Sequence, residues 1–184
     1  MQIFDDINSP KIVELLRNGA VGVLRTDTLY GVVCSAINEQ SVQRVYSLKG
    51  RDETKSPIVL VAATKQLFDT PAAIERAVLD TVWPGPVSVV LASTNAPNWI
   101  RRGNNSVAYR MPANDALQQL LATAGPLIAP SANPQGYSPA MTIDAAIEYF
   151  SDSIDFYVDG GHVTDALPSQ LIRITNSGEI ERLR

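Results

Sequence analysis

Short apolar runs alternate along this chain with segments of helical periodicity, and each change of period marks a new element. Ser9 followed by Pro10 is a helix start: an N-cap oxygen, then a proline whose missing N–H is no loss in the first turn. In the segment KIVELLRN, Ile12, Leu15 and Leu16 fall on one face, and Gly19 ends the helix. Residues 20–24 read as a short buried strand and residues 39–49 as a helix with Val42, Val45, Tyr46 and Lys49 at helical spacing. The run PIVLVA at 57–62 is strongly β-type, a helix follows over 72–82, and strands are predicted at 87–92 and 106–110. A helix over 114–123 turns Leu117, Leu120 and Leu121 inward, and a buried strand follows at 126–129. Residues 143–150 form a further helix, and 154–158, 170–175 and 179–182 read as strands, the last two joined by a hairpin turn at Asn176-Ser177-Gly178. Alternation of strand and helix with a late hairpin predicts an α/β fold with a twisted, mixed β-sheet flanked by helices.

Composition narrows the classes. The 184 residues fit one domain, and 45% hydrophobic against 18% charged residues describes a chain with a sizeable core. No apolar run approaches the ~18 residues of a membrane span, and the start MQIFDDINSPK lacks the pattern of a signal peptide. One cysteine, Cys34, excludes an internal disulfide framework and favours the cytosol; between apolar neighbours it reads as a small core residue. One histidine, His162, excludes a multi-histidine zinc site. A net charge of −4 speaks against binding long nucleic acid over the whole surface, but leaves room for a local basic cleft that holds a small anion.

Several polar groups stand at predicted strand ends, where ligands bind in open α/β sheets. Arg25-Thr26-Asp27-Thr28-Leu29-Tyr30-Gly31 follows a strand and offers hydroxyls and backbone N–H groups, or simply a capped turn. Lys49-Gly50-Arg51 can close on phosphates, or can be a solvated helix end that offsets the helix dipole. Ser131 and Asn133 in Pro130-Ser131-Ala132-Asn133 can face oxyanions or form a turn. Arg110, at the tip of SVAYR, needs a partner, which a ligand carboxylate or an acid of the chain would supply. Arg101-Arg102 lies in a Pro/Asn/Gly-rich stretch that is either a solvated loop or a lid or RNA-contacting patch with Trp99 as its stacking group. No GxxxxGK[ST] phosphate loop occurs.

In order, TDTLYG, KGR, PIVLV, WPGP, VAYRMP, PSAN, DGG and PS cover residues 13–184, and the set resembles the YrdC-like threonylcarbamoyl-AMP synthase family in its short single-domain form. The resemblance implies one domain over 1–184, a sheet around a basic cavity, and a nucleotidyl transfer. L-threonine and bicarbonate attack the α-phosphate of ATP, giving threonylcarbamoyl-AMP and pyrophosphate, with Mg2+ accompanying ATP. A downstream threonylcarbamoyl transferase complex then modifies an adenosine of tRNA. By the same resemblance Lys49 and Arg51 are the catalytic, phosphate-facing pair. Thr26, Thr28, Arg110 and Ser169 bind threonine, with Arg110 on its carboxylate. Ser106, Ser131, Asn133 and Arg182 join Lys49 and Arg51 around the nucleotide. The chain departs from the family pattern at Arg25 and Asp52, where proline is common, at Val61, where some members have histidine, and at Gln170 after the PS pair. Arg25 adds a cation at the cavity mouth or pairs with Asp27, while Asp52 sets an acid beside the phosphate-binding pair. The rival readings are a non-catalytic double-stranded RNA- or tRNA-binding protein, a weakly active paralogue, and a relative that makes a different acyl-adenylate; threonine-dependent use of ATP separates them from the first.

Overall fold

The computed structural model describes residues 1–164, 167–175 and 177–184. Its strands are β1 (Gln2–Phe4), β2 (Gly22–Arg25), β3 (Tyr30–Ser35), β4 (Ile58–Leu60), β5 (Val87–Ala92), β6 (Ser106–Arg110), β7 (Leu127–Ile128), β8 (Phe156–Val158), β9 (Gln170–Ile174) and β10 (Ile180–Arg182). Its α-helices are α1 (Pro10–Arg17), α2 (Glu39–Lys49), α3 (Ala73–Val82), α4 (Asn98–Arg101), α5 (Asp115–Ala124) and α6 (Ile143–Phe150). Side-chain oxygens of Asn38, Asn114 and Thr142 cap α2, α5 and α6, each accepting from a backbone N–H of the first turn. Gly50 ends α2 in the left-handed conformation, at φ 58°.

The strands form one ten-stranded mixed sheet in the order β1-β8-β2-β3-β7-β4-β6-β5-β9-β10. Successive side chains on a strand point to opposite faces, and two separate cores record that alternation. Val23, Val32, Cys34, Val59, Val61, Tyr109 and Ile172 face the larger core with residues of α2, α3, α4 and α6. Leu24, Val33, Leu60, Leu127 and Phe156 face the other, against Ile12 and Leu16 of α1 and Leu117, Leu120 and Leu121 of α5. On that second side Val90, Ala108 and Leu171 belong to neither core. The outer part of the sheet's second face is therefore left open.

Two strands have no counterpart in the sequence reading. β1 is too short for a periodic signal and gains order by parallel pairing with β8. β3 is buried on both faces, so its polar–apolar alternation vanishes. The predicted hairpin between β9 and β10 is present as an antiparallel pair, with Ile180 opposite Ile174; of its turn, Asn176 lies outside the described residues. Among the described residues no helix is long and apolar enough to cross a membrane.

Gly22 pairs with Phe156 across β2 and β8, and a methyl group at Gly22 would overlap the Phe156 ring. Gly22→Ala is expected to lower stability by about 1–3 kcal/mol. Urea denaturation checks this, and a simultaneous Phe156→Leu change should recover part of the loss.

Candidate functional site

On the open side of the sheet lies a cavity of about 540 Å³, lined by Thr26, Thr28, Arg51, Arg110, Ser131 and Ser169 among others. These six, far apart in sequence, are the residues the structure does bring together. Two segments build one wall. The turn after β2 is closed by Thr26, whose hydroxyl donates to the Leu29 carbonyl at 2.7 Å and accepts from the Leu29 amide at 3.2 Å. The chain after β7 then runs beside β3: Val32 donates to the Pro130 carbonyl and Ala132 to the Tyr30 carbonyl, both at 2.8 Å. Gly31 and Ser131 thereby stand opposite each other. On the far wall Ser169 meets Ser88 of β5, hydroxyl to hydroxyl at 2.9 Å.

Charge at this site is one-sided. The described lining includes Arg51, Arg110 and Arg184 and no acid. Arg110 is buried and pairs at 3.0 Å with Asp27, whose side chain is also mostly covered. Burial raises the Asp27 carboxyl above its ordinary range, although Arg110 beside it pulls the other way. Burial also lowers the Arg110 guanidinium; Asp27 opposes that fall and Arg184 adds to it. The Nε atoms of Arg51 and Arg110 are buried without a hydrogen-bond partner. A buried donor left unmatched is costly, and an oxyanion is the kind of acceptor that a guanidinium takes.

Lys49 and Asn133 stand behind the wall and are not among its lining residues. The buried Lys49 ammonium donates to the carbonyls of Ser131 and Asn133. Burial, with Arg51 close by, lowers its pKa to about 8. Asn133 accepts from the Ser131 hydroxyl at 2.6 Å and donates to the carbonyls of Pro134 and Tyr137 at 3.0 and 2.7 Å. Gln135 completes the joint, its amide donating to the Lys49 carbonyl at 2.7 Å while its side-chain oxygen accepts from the Asp52 amide at 3.0 Å. KGR and PSAN are thus one braced unit, in which Arg51 and Ser131 reach the cavity and Lys49 and Asn133 hold the loop.

Two expected residues lie apart. Ser106 shares a sheet face with Arg110, but four residues of extended chain, ~13 Å, separate them, and it does not line the cavity. Arg182 pairs across the hairpin with Ile172, whose side chain belongs to the larger core, so it is set on the opposite face. Sequence reasoning missed Arg184, Ser88 and the closure of Arg110 by Asp27; the only signal for the last was the need of a strand-tip arginine for a partner.

The departures from the family pattern have local partners. Arg25 donates to the Gly160 carbonyl at 2.8 Å and does not pair with Asp27. Asp52 accepts from the Thr54 amide and hydroxyl at 2.9 and 2.7 Å and lies 3.9 Å from the Lys55 ammonium. The 101–102 stretch is tied to its neighbours and leads into exposed residues 103–105. Arg102 stacks 3.7 Å from the Tyr46 ring centre and pairs with Glu53, while Trp99 donates to the Ala36 carbonyl at 3.1 Å.

Fold and site together define an α/β protein of the mixed-sheet type with a cavity lined by arginines and hydroxyl groups. The chain belongs to the Sua5/YciO/YrdC family, whose model, described as "Telomere recombination", matches residues 14–184. A threonylcarbamoyl-AMP synthase of Halorhodospira halophila is 35% identical over 150 residues, covering 79% of this chain and 78% of that relative. One of Marinobacter nauticus is 32% identical over 182 residues, covering 92% and 95%. The crystal structure of Pyrococcus abyssi Sua5 complexed with L-threonine superimposes with a TM-score of 0.90 at 27% identity; this chain is covered in full and spans 57% of the chain in that structure.

Lys49→Met, which keeps an unbranched stem one atom shorter but none of the donors, is expected to cost about 1.5–3 kcal/mol of stability and to weaken ATP binding as the Ser131 loop loosens. Paired urea melts and ATP titrations test both effects. Asp27→Ala leaves Arg110 buried without its counter-charge and should cost about 3–5 kcal/mol, read from the same melts.

Proposed function

We propose that the chain forms threonylcarbamoyl-AMP and pyrophosphate from L-threonine, bicarbonate and ATP, within a single YrdC-like domain spanning its 184 residues. The observation that carries this reading is the convergence of Thr26, Thr28, Arg110 and Ser169 with Arg51 and Ser131 on one acid-free cavity. An amino acid and a polyphosphate both need oxyanion partners, and this wall offers them side by side.

The threonine amine adds to bicarbonate with loss of water, and the carbamate oxygen so formed attacks the α-phosphorus. The bond from that phosphorus to the bridging oxygen breaks, and pyrophosphate leaves with the electron pair. Charge grows on phosphate oxygens in this step, so cations and hydroxyls fixed beforehand stabilise it without reorganising. Arg51 and Ser131 take that part, with Lys49 and Asn133 keeping Ser131 in place. Arg110, oriented by Asp27, presents its fork to the threonine carboxylate, the shape that a guanidinium matches best. Thr28 and Ser169 supply hydroxyls beside it. Holding a carbamate against the phosphorus contributes up to ~7–11 kcal/mol when alignment is ideal. Mg2+ enters with the nucleotide as part of the substrate, since it is commonly held by phosphates, waters and one or two carboxylates.

Arg25 and Asp52 are both engaged locally and neither lines the cavity, which supports an active synthase over a weak paralogue. Threonylcarbamoyl-AMP serves a downstream transferase complex that modifies tRNA. The cytoplasm suits that role, and the single free thiol, Cys34, is buried.

Pyrophosphate release by the purified protein with MgATP and bicarbonate should depend on L-threonine; release that ignores threonine would sink the reading. Arg51→Ala should raise the KM for ATP about tenfold or more with a much smaller change for threonine.

A further inference from the structure

A second cavity, of about 520 Å³, lies beside the turn between β2 and β3, and Thr26 is the residue it shares with the main cavity. Its charge has the opposite sign. Asp5, Asp27 and Asp159 line it against a single cation, Arg25, while Ile7, Ala116 and Val158 add apolar wall. Few of these charges are answered inside the protein. Arg25 donates to the Gly160 carbonyl at 2.8 Å. Asp159 accepts through Oδ1 from the Gly161 amide at 2.8 Å and the Tyr30 hydroxyl at 3.5 Å. None of the ion pairs among the described residues includes Asp5, Asp159 or Arg25. The positive end of α5 also points here, and the Asn114 side-chain oxygen closes it by accepting from the Leu117 amide at 2.8 Å.

Asp27 is a separate sign of a ligand. Its side chain is 8% exposed, and Oδ1 meets Arg110. Oδ2 is buried with neither a hydrogen bond nor an ion pair. Backbone amides of Asp27 and Ala113 favour its charge, as Arg110 does, yet burial outweighs them and raises the carboxyl. A buried acceptor left open is costly. Arg110 lines the main cavity and Asp27 the second one, so the second cavity is where the missing donor can enter.

The lining selects among cations. Among the described residues no three acids stand close enough to hold one metal ion. A methylene chain with an ammonium at each end spans carboxylates that stand apart. Each ammonium brings three donors and no acceptor, and the stem packs on Ile7, Ala116 and Val158. We propose that the second cavity binds a small aliphatic diamine or polyamine, with Asp5 and Asp159 taking its ammonium groups and Asp27 supplying the buried acceptor. The site does not rest on the proposed reaction.

The test is calorimetric titration with putrescine, spermidine, n-butylamine, Mg2+ and inorganic phosphate, in enough sodium chloride to screen loose counter-ions. The proteins are the unmodified chain, Asp5→Asn, Asp159→Asn, Arg25→Gln and Asp80→Asn, the last an exposed acid of α3 outside the cavity. Circular dichroism checks that each is folded. Putrescine and spermidine should bind, and n-butylamine, with one charge, about fivefold or more weakly. Asp5→Asn and Asp159→Asn should each lower the affinity for spermidine about two- to fivefold, Arg25→Gln should raise it by a similar factor, and Asp80→Asn should leave it unchanged. Absence of amine binding to the unmodified chain overturns the site. An equal loss in Asp80→Asn, or Mg2+ binding as tight as spermidine, reduces it to general attraction of cations and overturns it as well. Phosphate binding that disappears in Arg25→Gln would make it an anion site instead.

Discussion

Everything at the site depends on one open sheet face. A ten-stranded sheet has two faces to cover, and the helices cover them unequally. Residues of α2, α3, α4 and α6 meet one side, while only α1 and α5 pack on the other. A wide apolar sheet surface left to water would be costly. The open part is accordingly mixed: Arg110 and Ser88 alternate there with Ala108 and Val90 on neighbouring strands, and Ser169 meets Ser88. The cavity lies where this second layer is incomplete, with arginines and hydroxyls set among apolar residues such as Leu29, Ile58 and Met141.

Within it, burial makes charge expensive, and the chain answers each charge differently. Arg110 has Asp27 as counter-ion inside the protein. Lys49 has two backbone carbonyls in place of an acid, which satisfies its donors but leaves its charge more easily lost. Arg51 lies over the Tyr46 ring at 5.6 Å and donates to the Ser56 carbonyl at 3.1 Å, with Nε left over. Arg51 and Arg110 thus each keep a buried Nε without a partner while both line the same cavity.

The two motifs read from sequence as separate phosphate contacts are mechanically one. The end of α2 and the loop after β7 are far apart along the chain, yet they are tied by the Lys49 side chain, by the Lys49 carbonyl and by Gln135. Such cross-bracing fixes the Ser131 hydroxyl relative to Arg51 before any ligand arrives. Preorganisation of this kind lets a site stabilise charge in a transition state without first ordering itself.

The sequence alone determined the periodic elements, because a half-buried helix or strand needs only local alternation to declare itself: β5 and β6 fall where the runs VSVVLA and SVAYR placed them, and α2 where its spacing did. It also singled out polar stretches that the fold then gathers, since Thr26, Thr28, Arg51, Arg110, Ser131 and Ser169 all line one cavity. The strand β3 escaped because burial on both sides erases alternation, and β1 because three residues have no period to read. Only the tertiary structure decided which member of each motif faces the cavity. Lys49 and Arg51 are two residues apart, yet one turns inward to backbone carbonyls and the other lines the cavity. Arg182 and Arg184 are also two apart, a spacing that puts strand residues on the same face, and a single extra residue opposite Leu171 separates them. Facing is set by partners supplied from distant strands, and spacing along one strand carries no record of them.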